Sequence, residues 1–356
     1  MVDVIHIGFP KTATTYIQDM FNAFPEIYSI AKPSKNPEIR ALVDELISTP
    51  PLEFNAEYFK AEFNKICSGT EGKGKIKLLS HELLSGDMYS GKDTKLLADR
   101  IFAVFGKVQI VMTIREQVAT VESLYRYYVM IGGPLCIQDF IYKMNSPCVD
   151  VFGKSSIFSK YKYDHIIEYY QKLFGENNVA VVPFELLFGA NHEYERTFFE
   201  KCGVKFRKEN LTPKMLEPSN TDLSNASLGL NRLVNNIVAT HMSNGILSKD
   251  FSYYMCLRVF PKTFHFLDKF LKKISSNKDY TDQKKVKFLF RIAGNLLSFL
   301  PESSFIQKAN EKLDLRNKNS IKDELKKVYA DSNARTEMLT GLNLRELGYT
   351  CNTEKK

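Results

Sequence analysis

Four short apolar segments have the pattern of β-strands that are buried on both faces. They are residues 2–9, 76–82, 108–115 and 179–184. Amphipathic segments, in which apolar residues recur three and four positions apart, follow or separate these strands. They are residues 14–24, 56–67, 117–131, 164–174 and 194–202. Because strands alternate with helices, the pattern predicts an α/β fold of three layers, with a parallel sheet between two layers of helices.

The pattern changes beyond about residue 225, where only helical segments remain. They are residues 225–241, 261–274, 284–300 and 322–342. We therefore expect an α/β core over residues 1–225 and a helical C-terminal region over residues 226–356 that packs on this core.

The composition is typical of a soluble enzyme. Of the 356 residues, 44% are hydrophobic and 25% are charged, which suffices for one large core or two smaller ones. The six cysteines are widely spaced and form no C-x-x-C pair, so we expect neither disulfides nor structural zinc. The sequence has no charged leader and no apolar stretch of about 18 residues, and we expect a cytoplasmic protein.

The net charge of +8 is concentrated in one segment. Residues 258–291 carry ten Lys or Arg side chains against three Asp, a net charge of +7, and phenylalanines lie between them. This segment has two interpretations: a surface for a polyanion or a membrane, or amphipathic helices with solvated lysine faces. No motif in the chain supports binding of nucleic acid.

The first predicted strand runs into a loop that is rich in hydrogen-bond donors, which we call the donor loop. Its sequence is Gly8-Phe9-Pro10-Lys11-Thr12-Ala13-Thr14-Thr15. Gly8 permits a sharp turn, Pro10 stiffens the loop, and the amides that follow face outward at the positive end of a helix dipole. Lys11 adds a positive charge, and three threonines add hydroxyl donors. The donor loop therefore predicts a site for a phosphate-like anion.

The donor loop is not a Walker A loop, in which G-x-x-x-x-G-K-[ST] places Gly-Lys at the start of the helix. Here Lys11 comes earlier and is followed by Thr12, Ala13 and Thr14. A nucleoside triphosphatase also needs an acidic residue for magnesium near a strand end, whereas the third predicted strand ends in Arg115. We therefore expect a P-loop-like element, a strand, loop and helix that bind an anion without a metal ion.

Arg115 and Ser123 are candidates for binding a second phosphate. Ser123 comes eight residues after Arg115, about two turns into the predicted helix, where it faces back toward the strand end. Arg115 offers a forked, permanently charged contact and Ser123 a hydroxyl donor. The alternative is a structural arginine paired with Glu116 or Glu122.

These motifs together resemble those of sulfotransferases that use 3′-phosphoadenosine 5′-phosphosulfate (PAPS). The donor loop resembles the family's 5′-phosphosulfate loop, and residues 114–125 resemble its 3′-phosphate element, with Gln117 where many members have proline. Residues 163–187 and 329–349 are similar to further helices and strands of bacterial-type members. The resemblance implies that Lys11 and the adjoining amides hold the 5′-phosphosulfate, and that Arg115 and Ser123 hold the 3′-phosphate.

The second predicted strand ends in two candidates for the catalytic base, His81 and Glu82. Adjacent residues of an extended strand point to opposite faces, so we expect one of them to reach the reaction centre. We prefer Glu82, because the local sequence resembles that of sulfotransferases with Ser-x-Glu at this strand end. In the alternative, Glu82 caps the following turn and His81 is a packed core ring.

The resemblance implies an enzyme that moves a sulfonate group from PAPS, its co-substrate, to a hydroxyl or amine of an acceptor without a metal. We expect the acceptor to be a glycan or glycolipid, while a small molecule stays open. Two other functions are kept: a nucleotide kinase or NTPase, and a non-catalytic protein that binds anions or membranes. The sequence leaves the oligomeric state open.

Overall fold

The computed structural model describes residues 1–31, 37–69, 72–145, 157–216 and 318–352, together with Leu228, Arg232 and Asn235. Apart from these three residues, the helices predicted at 225–241, 261–274 and 284–300 lie outside the described residues, as does the basic segment 258–291.

The centre of the fold is a sheet of five parallel strands in the order β2-β3-β1-β4-β5. The strands are β1 Val4–Gly8, β2 Ile27–Ala31, β3 Ile76–Ser80, β4 Gln109–Ile114 and β5 Val179–Pro183. The four predicted strands are confirmed, and the edge strand β2 was not predicted. The chain adds strands first on one side of β1 and then on the other, and in open parallel sheets ligands bind at the carboxyl ends beside such a switch point.

The structure gives the bounds of ten α-helices in the described residues. They are α1 Thr14–Met20, α2 Pro37–Ser48, α3 Ala56–Cys67, α4 Thr94–Phe105, α5 Gln117–Met130, α6 Ile137–Asn145, α7 Ile157–Lys160, α8 Tyr163–Phe174, α9 Glu193–Lys201 and α10 Lys318–Thr340. The prediction of α3 agrees with its observed bounds, and those of α1, α5, α8, α9 and α10 are confirmed to within a few residues. Helices α2, α4, α6 and α7 were not predicted.

Helices α1 and α9 cover one face of the sheet. Their apolar residues share one core with alternate residues of four strands: Ile17, Met20, Phe198, Phe199, Val4, Leu78, Val111 and Val182. Because successive strand residues point to opposite faces, the buried side chains of Ile5 and Ile7 point away from this core. Phe9 continues that second face, and its ring lies 4.9 Å from that of Tyr163 at the start of α8. Helices on both faces confirm the predicted α/β architecture.

The C-terminal helix α10 packs against α8. Ser332 donates a hydrogen bond to the buried carboxylate of Asp164, and Gln171 Nε2 donates to the carbonyl of Leu339 at 3.0 Å. The helix predicted at 322–342 is therefore present and packs on α8.

Contacts divide the chain into two compact units. The first comprises residues 1–121, 143–220 and 322–356, and the second comprises residues 122–142 and 221–321. Within the second unit, the rings of Tyr125 and Tyr128 pack on Phe140. The domain boundary expected near residue 225 stays a prediction. Among the described residues, no helix combines the length and the apolarity that crossing a bilayer requires.

Candidate active site

Gly8, the last residue of β1, is required by the close packing of the donor loop. A Cβ atom at this position would lie 2.2 Å from Thr14 Oγ1 and 3.2 Å from Thr113 Oγ1. Since real Cβ atoms do not come within 3.0 Å of another atom, any side chain here would force the Thr14 side chain to move. Gly8 thus allows the loop to return tightly across the end of the strand.

Left-handed and other backbone conformations alternate along the donor loop. Lys11 and Ala13 have left-handed conformations, with φ of 69° and 59°, and Thr12 between them does not. Residues other than glycine pay an energetic penalty for this conformation, and such strain is concentrated at functional sites. Alternation of this kind turns successive N–H groups toward one side and forms an anion-binding concavity, or nest.

A chain of buried hydrogen bonds lies beneath the donor loop. Gln18 Nε2 donates to Ser80 Oγ at 2.9 Å, and Ser80 Oγ lies 2.8 Å from His6 Nδ1. His6 Nε2 lies 3.2 Å from Thr113 Oγ1. Strands β1, β3 and β4 are thereby linked through side chains at the ends that adjoin the loop.

The chain of hydrogen bonds ends at Thr12, which fixes its direction. Thr12 Oγ1 donates to the carbonyl of Phe9 at 2.6 Å and lies 2.7 Å from Thr113 Oγ1. Because the single proton of Thr12 Oγ1 goes to Phe9, Thr113 donates to Thr12 and His6 donates from Nε2 to Thr113. The Thr12 hydroxyl therefore stabilises the loop, and its backbone N–H is the group left to face an anion.

His6 is neutral in this network. Burial lowers the pKa of His6 from 6.5 to about 3, because the charged imidazolium has no water around it. A neutral ring with one donor and one acceptor matches the two hydroxyl partners of His6, so the loop rests on an uncharged support at neutral pH.

Thr14 carries a buried hydroxyl at the start of α1, next to Gly8. Its Oγ1 has no hydrogen-bond partner among the described residues, and an unpaired buried hydroxyl costs about 1–3 kcal/mol. A bound anion would accept this hydrogen bond. Of the other predicted loop residues, Thr15 is exposed, Pro10 is buried and Lys11 is half-buried.

Arg115 lies directly after β4 and reaches the donor loop. Its Nη1 donates to the carbonyl of Lys11 at 2.9 Å, and its guanidinium lies 4.4 Å from the centre of the Phe184 ring. Its Nε is buried and has no partner among the described residues. The structure thus brings together two predicted site residues that are 104 positions apart in sequence.

Ser123 lies in α5, and its side chain is buried. It belongs to the second of the two compact units, whereas Arg115 belongs to the first. The pairing of these two residues on one phosphate stays a prediction from the sequence.

His81 and Glu82 follow β3, which pairs with β1. His81 Nδ1 accepts a hydrogen bond from the Leu83 amide at 3.1 Å and caps the short 3₁₀ helix Glu82–Ser85. Its Nε2 lies 3.6 Å from Asp44 Oδ1. Both ring nitrogens of His81 therefore have protein partners, while Glu82 is half-buried at the first position of the 3₁₀ helix.

Lys160 is a buried lysine that the sequence did not indicate, since nothing in the pattern of α7 distinguishes it. It is 5% exposed, and its Nζ donates to the carbonyl of Ser85 and to Thr94 Oγ1. The amine lies 5.0 Å from the centre of the Phe9 ring. Burial lowers the pKa of Lys160 from 10.5 to about 7, against the opposing effect of nearby Asp93 and Asp87.

The part of the chain that the structure describes contains no group of three or more His, Cys, Asp or Glu residues positioned to hold a metal ion. The donor loop and Arg115 offer N–H and O–H donors and positive charge and contain no carboxylate, whereas magnesium is usually bound through one or two carboxylates. Their chemistry suits an anion.

The solved structures that this chain is similar to include three sulfotransferases of low sequence identity. The sulfotransferase from Alicyclobacillus acidocaldarius is 16% identical, with 66% of this chain and 93% of that chain covered and a TM-score of 0.41. The sulfotransferase domain of the Synechococcus PCC 7002 olefin synthase is 14% identical, with 62% and 81% covered and a TM-score of 0.38. A mouse sulfotransferase complexed with PAP is 12% identical, with 95% and 87% covered and a TM-score of 0.41. No family model and no curated protein matches the chain.

Proposed function

We propose that this chain is a sulfotransferase that transfers a sulfonate group from PAPS to a hydroxyl or amine of an acceptor. The observation that carries the proposal is the meeting of the donor loop with the Arg115 guanidinium at the ends of β1 and β4. Two adjoining elements that each suit an anion support a nucleotide with phosphates on both its 5′ and 3′ sides, and the motifs of both elements resemble those of sulfotransferases.

The residues fit such a nucleotide. Thr14 Oγ1 and Arg115 Nε are buried donors without partners among the described residues. The loop backbone at Lys11 and Ala13 is strained into a nest, and the loop contains no acidic residue. Strain and unpaired donors cost stability, and a bound anion would offset both costs.

Each residue has a role in the proposal. Lys11 and the amides of Thr12 to Thr15 hold the 5′-phosphosulfate, and Lys11 stabilises negative charge that develops on the leaving phosphate. Arg115 holds the 3′-phosphate through its charged fork. The assignment of Ser123 to that phosphate rests on the sequence pattern alone. PAPS, when bound, supplies the sulfonate group.

Glu82 is the proposed general base, which takes the proton of the acceptor hydroxyl as that oxygen attacks. We prefer Glu82 to His81 because both ring nitrogens of His81 have protein partners. Its Nδ1 accepts a hydrogen bond from the Leu83 amide, and its Nε2 faces Asp44. In support, the 3₁₀ helix Glu82–Ser85 contacts β1, the strand that leads into the donor loop.

For the acceptor we propose a glycan or glycolipid, with a small hydroxyl compound as the alternative. The support is the family resemblance and the basic segment 258–291, which suits a polyanionic acceptor or an anionic membrane surface. A cytoplasmic location also stays a proposal.

The test is incubation of the full chain with PAPS and a panel of glycans, glycolipids, phenols and alcohols, with mass detection of sulfated products. We expect one acceptor class to gain a sulfonate group, and Lys11→Ala and Arg115→Ala each to lower the rate at least about a hundredfold. Transfer at the parent rate by both variants would overturn the site assignment. Absence of any product, with tighter binding of ATP and magnesium than of 3′,5′-ADP, would favour a kinase or NTPase.

A further inference from the structure

The residues that follow β4 form a turn, Arg115-Glu116-Gln117, which we call the arginine turn. Its last residue is 1% exposed. Gln117 Nε2 donates to Asn333 Oδ1 at 2.5 Å, and Asn333 Nδ2 donates back to Gln117 Oε1 at 3.1 Å. The two amides thus form a closed, reciprocal pair between the start of α5 and α10.

Further contacts complete this amide pair. Asn333 Nδ2 also donates to the carbonyl of Thr350 at 3.0 Å, and Gln117 Nε2 lies 3.3 Å from the carbonyl of Tyr161. Buried amides need such partners, and removal of one leaves the others unsatisfied. The C-terminal segment of the chain therefore fixes where Gln117 lies.

A second brace reaches the middle residue of the turn. The Glu116 amide donates to Glu185 Oε1 at 2.8 Å, and the Tyr349 hydroxyl donates to Glu185 Oε2 at 2.8 Å. Burial raises the pKa of Glu185, partly offset by these two hydrogen bonds. Tyr349, like Asn333, lies in the C-terminal segment.

Tyr163 holds the first residue of the turn. Its hydroxyl donates to the carbonyl of Arg115 at 2.6 Å and lies 3.4 Å from the amide of the same residue. All three residues of the turn are thus held by side chains from elsewhere in the chain, and two of these braces depend on residues 333–350.

We propose that Asn333 and Tyr349 are positioning residues that hold Arg115 in place for the 3′-phosphate, an inference that rests on the proposed function. Gln117 is only two residues from Arg115, so a shift of the turn moves the guanidinium away from its contact with Lys11. Gln117 stands where many sulfotransferases have proline, which has no side-chain amide to form such a pair. The C-terminal brace in this chain takes the place of that rigid residue.

The two nucleotides 3′,5′-ADP and 5′-AMP differ only in the 3′-phosphate, and their affinities separate positioning of Arg115 from general stability. We expect the parent protein to bind 3′,5′-ADP more tightly in titration calorimetry. Asn333→Ala should weaken binding of 3′,5′-ADP about tenfold, the effect of one charge-assisted hydrogen bond. Its affinity for 5′-AMP should change less than about twofold, whereas a purely structural role would lower both affinities alike.

Gln171→Ala is the matched control. It removes a hydrogen bond from α8 to the carbonyl of Leu339 in the same helix α10, and we expect it to leave the preference for 3′,5′-ADP unchanged. The exchange Gln117→Asn with Asn333→Gln rebuilds an amide pair in reversed order and should restore most of the preference.

Tyr349→Phe removes only one hydroxyl, and it provides the same test if Asn333→Ala does not fold. It should reduce the preference for 3′,5′-ADP in the same direction, about threefold. If the parent distinguishes the two nucleotides while folded Asn333→Ala and Tyr349→Phe distinguish them equally well, the inference is wrong. If the parent does not prefer 3′,5′-ADP, the proposed function itself is wrong.

Discussion

The donor loop and the arginine turn, the two elements proposed to bind phosphates, are held in place differently. The donor loop owes its shape mainly to its own residues: the absence of a side chain at Gly8, the left-handed Lys11 and Ala13, and the hydrogen bond from Thr12 to Phe9. The arginine turn owes its shape to distant residues such as Glu185 and Asn333.

This difference affects how each element responds to mutation. A strained loop with a buried unpaired hydroxyl has donors in place before a ligand binds, so its binding depends on short-range sterics. A turn held from a distance depends on the docking of other elements. Mutations far from the site should therefore disturb recognition of the 3′ side of the nucleotide more than recognition of the 5′ side.

The largest effect should come from Glu82→Gln, which changes neither phosphate-binding element. Loss of a general base lowers the rate of the chemical step about 10²–10⁴-fold, and we expect unchanged affinity for 3′,5′-ADP. Rate measurements at saturating PAPS, with calorimetry on the same protein, check this. His81→Gln should retain a rate within about tenfold of the parent, and the opposite order of the two variants would assign the base to His81.

Gly8→Ala should damage the donor loop most. The added Cβ would lie 2.2 Å from Thr14 Oγ1, and overpacking of this kind costs about 1–3 kcal/mol. We expect binding of 5′-AMP and of 3′,5′-ADP to fall together, by roughly a hundredfold, in calorimetry. Gly69→Ala, whose nearest atom would be the Ile66 carbonyl at 3.3 Å, is the control. If Gly8→Ala lost affinity for 3′,5′-ADP but not for 5′-AMP, the assignment of the donor loop to the 5′ side and of the arginine turn to the 3′ side would be contradicted.

Thr14→Val should separate binding from stability. The hydroxyl of Thr14 has no partner among the described residues, so its removal should leave the free energy of unfolding unchanged or raise it by about 1 kcal/mol. The same change should weaken the binding of 3′,5′-ADP and of 5′-AMP about tenfold each, because the bound anion loses one hydrogen bond. Urea denaturation and calorimetry measure the two quantities, and Thr14→Ser should behave like the parent. Loss of stability with unchanged binding would show that the hydroxyl is structural.

Lys160 is a distant residue that contacts the donor loop through Phe9, and it should make stability depend on pH. Its pKa is about 7 in the folded protein against 10.5 for a free lysine, so the unfolded chain binds more protons between these two values. The free energy of unfolding should therefore rise with pH in that window, by up to about 1.4 kcal/mol per unit, relative to Lys160→Met. Urea denaturation of both proteins at pH 7, 8 and 9 checks the sign, and parallel pH profiles would contradict it.

Phe184→Leu should have the smallest effect and should be confined to the arginine turn. The Arg115 guanidinium lies 4.4 Å from the Phe184 ring centre, a contact worth about 0.5–1 kcal/mol. We expect about threefold weaker binding of 3′,5′-ADP in calorimetry and unchanged binding of 5′-AMP. Phe54→Leu removes a similar contact with Arg100 and should change neither affinity. Equal weakening of both nucleotides by Phe184→Leu would argue against a role specific to the 3′ side.

The sequence predicted the parts of the fold that have a strong local pattern. The four predicted strands are mainly apolar, whereas the edge strand Ile27–Ala31 has Tyr28 and Ser29 at its centre, and it was missed. Helix α4 was also missed, and its buried Arg100 interrupts the apolar face that would have indicated it. Arg100 is 2% exposed because its guanidinium donates to backbone carbonyls at the end of α2.

In the candidate site, too, the sequence indicated the residues that belong to a local motif and missed those that do not. The donor loop and Arg115 were found because each is a compact motif. Tyr163, Glu185 and Asn333 were not assigned to the site, because they meet the arginine turn only after the chain has folded. The same holds for His6, whose ring links Ser80 and Thr113 only once the strands have paired.

The central claim is that the donor loop and Arg115 bind opposite sides of one nucleotide that carries both a 5′- and a 3′-phosphate. Titration calorimetry of the parent and of Arg115→Ala with 3′,5′-ADP, 5′-AMP and ATP plus magnesium tests it most directly. We predict that the parent binds 3′,5′-ADP most tightly and that Arg115→Ala loses this advantage while keeping its affinity for 5′-AMP. Tighter binding of ATP plus magnesium by the parent, or an unchanged preference in Arg115→Ala, would contradict the claim.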